Sequence, residues 1–140
     1  MLGSKKVGEV QGMIMLDTSF LIDYFRGVEA THGLVDENDV AITAITYHEI
    51  MVGLKRKRSK KEEKFFKRFF SEVKILPFDV GAAEESSNIA ARLIAIGKDV
   101  NALDILIAGI AIANGADRII TRDPDFEAIA KVSDIEVILY

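Results

Sequence analysis

The sequence predicts one α/β domain, with a mostly parallel central sheet covered by helices on both faces. Short apolar runs suited to strands alternate with helical stretches along the whole chain, which implies right-handed βαβ units. No internal repeat, low-complexity tract or linker divides the 140 residues, a length that suits one domain and not two. Residues 13–140 form the expected domain, and residues 1–12 read as a flexible leader.

The elements follow in order. Met13 to Leu16 is a buried-type strand, and Asp17-Thr18-Ser19 supplies helix N-cap residues before an apolar stretch that ends at Gly27. A polar helix is expected over Val28 to Glu37, then a strand from Val40 to Thr43. Thr46-Tyr47-His48-Glu49 matches a capping box, so a helix is expected to start there and run through Leu54. Ser59 interrupts, and Lys60 to Ser71 forms another helix, with Phe65, Phe66, Phe69 and Phe70 in one stripe that reads either as core or as a partner-binding face. Lys74 to Phe78 reads as an edge strand because of Pro77. Asp79 caps a long helix ending at Gly97, and Asn101 starts a nearly all-apolar, hence buried, helix that Asn114-Gly115 stops. A strand around Arg118 to Ile120, a turn, a short helix over Phe126 to Ala130 and a last strand from Ile135 to Leu139 complete the chain.

Composition excludes several function classes. With no cysteine there is no disulfide framework, no Cys-ligated zinc, no iron–sulfur cluster and no thiol nucleophile. The most apolar run, Ile105 to Ala113, spans nine residues, against about 20 for a membrane helix, and the leader lacks the apolar core of a signal peptide. A cytoplasmic protein without membrane attachment is the expectation. Only two histidines are present, so a mechanism centred on His48 has little material. Asp17-Thr18-Ser19 after a strand is similar to aspartyl-phosphate phosphatases, but those need an Asp where Ser19 stands, and no phosphate-binding P-loop is present. The net charge is −4, yet Leu54 to Phe70 holds nine Lys or Arg against two Glu, a local +7. That segment, Lys55, Arg56, Lys57 and Arg58 above all, is either a solvated helical face or a phosphate-contact surface.

Ligands of open parallel sheets bind beyond the carboxyl ends of the strands. Asp17, Glu49 and Asp123 map to that rim by connectivity, and Asp104 joins them if its helix starts there. Each acid alone has an ordinary reading as a cap or turn residue. Asp104, flanked by Leu103, Ile105, Leu106 and Ile107, is hardest to explain so, because a buried carboxylate needs a partner. Together, two carboxylates about 4 Å apart repel by roughly 4 kcal/mol at an effective dielectric near 20. Such a cluster calls for a cation, and an all-carboxylate set suits Mg²⁺ or Mn²⁺.

LDTSFLID at 16–23, the Glu in AITAITYHEIMVGL at 41–54, NALDILIAGIAIANGAD at 101–117 and IITRDPDF at 119–126 resemble the four motifs of PIN-domain nucleases. The short single-domain length resembles the VapC-type toxins of prokaryotic toxin–antitoxin pairs. The resemblance implies a PIN-like fold and a Mg²⁺- or Mn²⁺-dependent endoribonuclease with Asp17, Glu49, Asp104 and Asp123 as its acidic quartet. Asp17 and Asp104 are then direct metal ligands, with Glu49 and Asp123 completing the cluster and positioning the attacking water. Ser19 and Thr121 match hydroxyls that tie the acids together. Asp125 is a possible substitute for Asp123, and Asp99 a weaker rival to Asp104. The resemblance further implies an RNA substrate, a small cognate antitoxin, whose helix lies in a groove partly formed by the phenylalanine-bearing region, and a homodimer. The alternatives are a housekeeping RNA-processing nuclease and a PIN-fold interaction module that does not cut.

Overall fold

A computed structural model of the chain describes residues 12–35 and 39–140. Apart from Gly12, the leader at 1–12 lies outside the described residues, as does the end of the helix expected over 28–37. Five strands form one parallel sheet: β1 (Met13–Leu16), β2 (Asp39–Thr43), β3 (Lys74–Leu76), β4 (Ala116–Thr121) and β5 (Glu136–Leu139). Their order is β3-β2-β1-β4-β5, so β1 is central and the order reverses there.

Both faces of the central strands are apolar because both are covered. Ile14, Leu16, Val40, Ile42 and Ile120 pack with α1 (Thr18–Phe25), α2 (Ala44–Lys57) and α3 (Lys60–Phe70). The alternate residues Met15, Ala41 and Ile119 pack with α4 (Val80–Ala95), α5 (Ala102–Ala113) and α6 (Asp125–Val132). The strand-edge position expected for Lys74 onward holds, with β3 reduced to three residues.

Two expectations fail for identifiable reasons. Over the described part of the polar helix expected at Val28 to Glu37, residues 28–35, there is a 3₁₀ turn, Glu29–Thr31, and no α-helix. Gly27 and Gly33, at φ 76° and 78°, turn the backbone out of the helical region on either side, and the Thr31 hydroxyl donates to the Val28 carbonyl at 2.6 Å. The capping box at Thr46 is also absent. Helix α2 starts at Ala44, and Thr43 is its N-cap, its hydroxyl accepting from the Thr46 N–H at 3.0 Å. Glu49 therefore lies in the second turn, released from capping. At the other end Arg58 adopts φ 56°, closing α2, and the Ser59 hydroxyl caps α3 by accepting from the Glu62 N–H at 3.4 Å.

Helices α4 and α5 touch closely at Gly109, where an added Cβ falls 2.6 Å from Ser86 Cβ and 2.7 Å from the Ala82 carbonyl oxygen. Alanine would gain about 1 kcal/mol of helix propensity. The backbone it meets has no rotamer to yield, however, and overpacking costs about 1–3 kcal/mol. Gly109→Ala is expected to lower unfolding stability by about 1–2 kcal/mol, read as a lower urea midpoint at unchanged slope.

Candidate active site

The carboxyl ends of β1 and β4 and the first turn of α5 meet at one place. Asp17 leaves β1 as the N-cap residue of α1, yet its side chain makes no capping bond. Its Oδ2 instead accepts from the Thr121 hydroxyl at 2.7 Å and the Ser19 hydroxyl at 3.1 Å, and the residue is only 4% exposed. Burial raises the pKa of Asp17; hydrogen bonds from Thr121, the Thr18 backbone and Ser19 pull against that, and Glu49 adds to it.

Asp104 stands in the first turn of α5, which Asn101 caps by accepting from the Leu103 N–H at 2.9 Å. With capping done by Asn101, the Asp104 carboxylate is free for the site, and the residue is 8% exposed. Its Oδ2 is buried with no hydrogen-bond partner, which is costly for a carboxylate. Burial, a hydrogen bond with Asp123 and the charges of Asp123, Asp17 and Glu49 push its pKa up to about 8.

Asp123 follows β4, its N–H donating to the Thr121 hydroxyl at 3.0 Å, and its Oδ1 accepts from the Asp125 N–H at 2.9 Å. Asp104, Asp123 and Asp125 each offer a carboxylate oxygen, and all three oxygens lie within 4.8 Å of one another. Asp125 thus stands beside Asp123 in the same cluster. Glu49 accepts from the Thr18 hydroxyl at 2.7 Å, and the Thr18 hydroxyl oxygen also lies 3.1 Å from the Thr46 hydroxyl. Asp99 is exposed in the loop before α5, and His48 is exposed while Glu49 is half-buried.

Thr18 went unnoticed in the sequence because its partner is 31 residues away. Asp23, Arg122 and Tyr140 escaped for the same reason. The Arg122 Nε–H and the Tyr140 hydroxyl both donate to Asp23 Oδ2 at 2.8 Å. Burial alone would raise the pKa of Asp23; the hydrogen bonds from Arg122 and Tyr140 and the charges of Arg122 and Arg26 outweigh it and lower it. Burial and the Asp23 carboxylate push the Tyr140 phenol up to about 12, so it keeps its proton at neutral pH.

A mostly apolar groove of about 520 Å³ opens beside the acids, lined by Phe25, Ile50, Leu54, Phe65 and Phe66 and reaching Glu49. Of the four phenylalanines on α3, Phe70 is core, Phe66 and Phe69 are half-buried, and Phe65 stays 50% exposed. Phe25 meets Phe65, Phe66 and Phe69 edge-on at 4.9–5.7 Å.

The family model of the PIN domain matches residues 14–132. The chain belongs to the PIN-domain family. Among PIN relatives, it is 28% identical over 127 residues to Ribonuclease VapC5 of Mycobacterium tuberculosis, covering 89% of this chain and 93% of that protein. The structure of VapBC-5, a toxin–antitoxin system from the same organism, superposes with a TM-score of 0.71 at 25% identity, over 92% of this chain and 99% of that one. FitAcB from Neisseria gonorrhoeae gives 0.70 at 28% identity, over 90% and 96%. These superpositions and the family match agree with the α/β fold of this chain.

The donor set fits a hard divalent cation. It is all oxygen and net negative, and it includes one buried carboxylate oxygen with nothing to bind.

Proposed function

We propose that the protein is a metal-dependent endoribonuclease that hydrolyses RNA phosphodiesters, and that it is the toxin of a toxin–antitoxin pair. The observation that carries the chemistry is the buried, unpartnered Asp104 Oδ2 facing three further acids. Clustered carboxylates held at this cost suit a cation and have no evident structural use. Asp17 and Asp104 are the residues to hold Mg²⁺ or Mn²⁺, with Asp123 and Asp125 adjoining. Once bound, such an ion supplies Lewis acidity, activating water and neutralising charge that develops on the phosphodiester. The chain's own residues orient the reaction: Ser19 and Thr121 fix the Asp17 carboxylate, and Thr18 aims Glu49. Glu49 and Asp123 are then placed to position the attacking water and accept its proton.

The toxin role rests on likeness to VapC5 and to VapBC-5, a member of a family of toxin–antitoxin systems. The groove between α1, α2 and α3 fits a helix of a small antitoxin, with Arg26 and Lys61 on its lining to meet acidic residues on it. Exposed Val80 and Ile94 on α4, with Ile96 just beyond, give apolar area for a homodimer. Among the RNA-contact candidates, Lys55 and Lys57 sit 3.8 and 3.9 Å from Glu63 and Glu62, which leaves Arg56 and Arg58 as the better phosphate contacts. No helix among the described residues is long and apolar enough to cross a membrane; cellular RNA places the proposed action in the cytoplasm.

The test is cleavage of a mixed structured RNA pool by purified protein with Mn²⁺. Cutting is expected, is expected to stop with EDTA and to return when Mn²⁺ is restored. Activity untouched by EDTA, or none with Mn²⁺ bound, overturns the reading. Thr18→Val is expected to lower kcat about tenfold by freeing Glu49, with little change in KM. Single-turnover cleavage with excess enzyme reads that directly, and an unchanged rate would remove Thr18 from the site.

A further inference from the structure

Arg122 directly precedes Asp123, so its guanidinium is the cation that the chain itself brings nearest, in sequence, to the β4 acids. A free arginine there would fold onto the carboxylates and neutralise them, since bidentate guanidinium–carboxylate pairing is strong and the cluster is net negative. That is not what it does. The largest charge effects on Asp104 come from the acids Asp123, Asp17 and Glu49, whereas the Arg122 guanidinium is paired with Asp23 at 2.8 Å. The Arg122 backbone is pinned by its N–H donating to the Ser19 hydroxyl at 3.1 Å, and its side chain turns back along α1 to Asp23 at 2.8 Å. Asp23 is itself held in place: its Oδ2 also accepts from the Tyr140 hydroxyl, and the Tyr140 ring stands edge-on to buried Phe20 at 5.6 Å. Its side chain is 11% exposed, while that of Arg122 is 59% exposed, so the acid is the fixed partner and the arginine the one restrained.

We propose that Asp23 is a positioning residue that holds the Arg122 guanidinium away from the carboxylate cluster, keeping the acids open to a divalent cation. This rests on the metal-nuclease reading of the cluster. Among the described residues Asp23 pairs with Arg122 and Tyr140 and not with the four acids; its effect on them runs through Arg122. Removing its charge releases an internal competitor for the cation, and removing the competitor as well restores the site. A role confined to holding α1 against β4 predicts the opposite, because Arg122→Gln would then add damage.

Mn²⁺ affinity measured by calorimetry decides between these, alongside the melting temperature of each variant. Asp23→Asn is expected to weaken Mn²⁺ binding about tenfold, and Asp23→Asn with Arg122→Gln to return within about threefold of the wild type. An Asp23→Asn protein that binds Mn²⁺ as well as the wild type, or a double variant as weak as the single one, overturns the proposal. A wild type that binds no Mn²⁺ overturns the cation reading of the cluster and this proposal with it, a result separable from the first two. Should Asp23→Asn not fold, the wild type gives the answer through the Arg122 Nε–H resonance. Adding Mg²⁺ is expected to leave it in place. A large shift would mean that Arg122 occupies the acids in the metal-free protein, and the proposal fails.

Discussion

Asp104→Asn is expected to lower the rate of RNA cleavage by about 10²–10³-fold while leaving the fold and RNA affinity intact. Asn keeps the shape of the side chain, and α5 keeps its cap because Asn101, two residues before Leu103, supplies it. What is lost is one negative oxygen among four acids, and with it much of the attraction for a divalent ion. The comparison is best made as kcat under saturating Mn²⁺ with binding followed separately, since contaminating ribonuclease activity would survive the substitution. Full activity in the variant would remove Asp104 from the assigned role and leave Asp17, Asp123 and Asp125 to be tested in its place.

The same residue gives the metal-free protein an unusual pH dependence. Its carboxyl group titrates near 3.8 when unfolded and is pushed up to about 8 in the fold. Between those values the folded chain binds the extra proton, so stability falls as pH rises through that window. The contribution is complete below about pH 4 and gone above about pH 8. Asp17 shifts in the same direction. Asp23 shifts the other way, and its contribution is lost only as the pH falls below the ordinary carboxylate range. Metal-free protein is therefore expected to melt lower at pH 8 than at pH 5. Asp104→Asn is expected to melt about 5 °C above the wild type at pH 8, with the difference vanishing near pH 4. Mg²⁺ is expected to raise the wild-type melting temperature more at pH 8 than at pH 5, because it competes with protons for the same oxygens. Parallel pH curves for wild type and variant would show that the acids do not interact as placed.

The sheet and the outline of the site were legible because they depend on local signals. Continuous apolar runs marked β1, β2 and β4, and the connectivity of an open parallel sheet put Asp17 and Asp123 at one rim. Asp104 was conspicuous through its apolar neighbours, and the structure buries it beside Asp123. Failure came where two local signals competed. Thr43 and Thr46 lie three residues apart, and either can cap a helix. The choice falls to Thr43 because it ends β2, whereas the Thr46 hydroxyl turns to the Thr18 hydroxyl at 3.1 Å. The polar segment after Val28 carried helix-compatible residues, and two left-handed glycines outweighed them. The layer behind the acids was invisible because Asp23 and Tyr140 are 117 residues apart, and no spacing rule reaches that far.

The central position of β1 has a consequence for synthesis on the ribosome. Of the described strands β1 is made earliest; it pairs with β2 on one side but waits for β4, near residue 120, on the other. Asp17 gains its Thr121 hydroxyl, and its acidic neighbours beyond Glu49, only when that late segment has emerged and docked. A nascent chain thus carries its first carboxylate for most of translation without a site around it. Truncated products ending before β4 lack both Asp123 and the Thr121 latch. A host making such an enzyme is exposed to it only as finished molecules, which gives a separately made inhibitor time to be waiting.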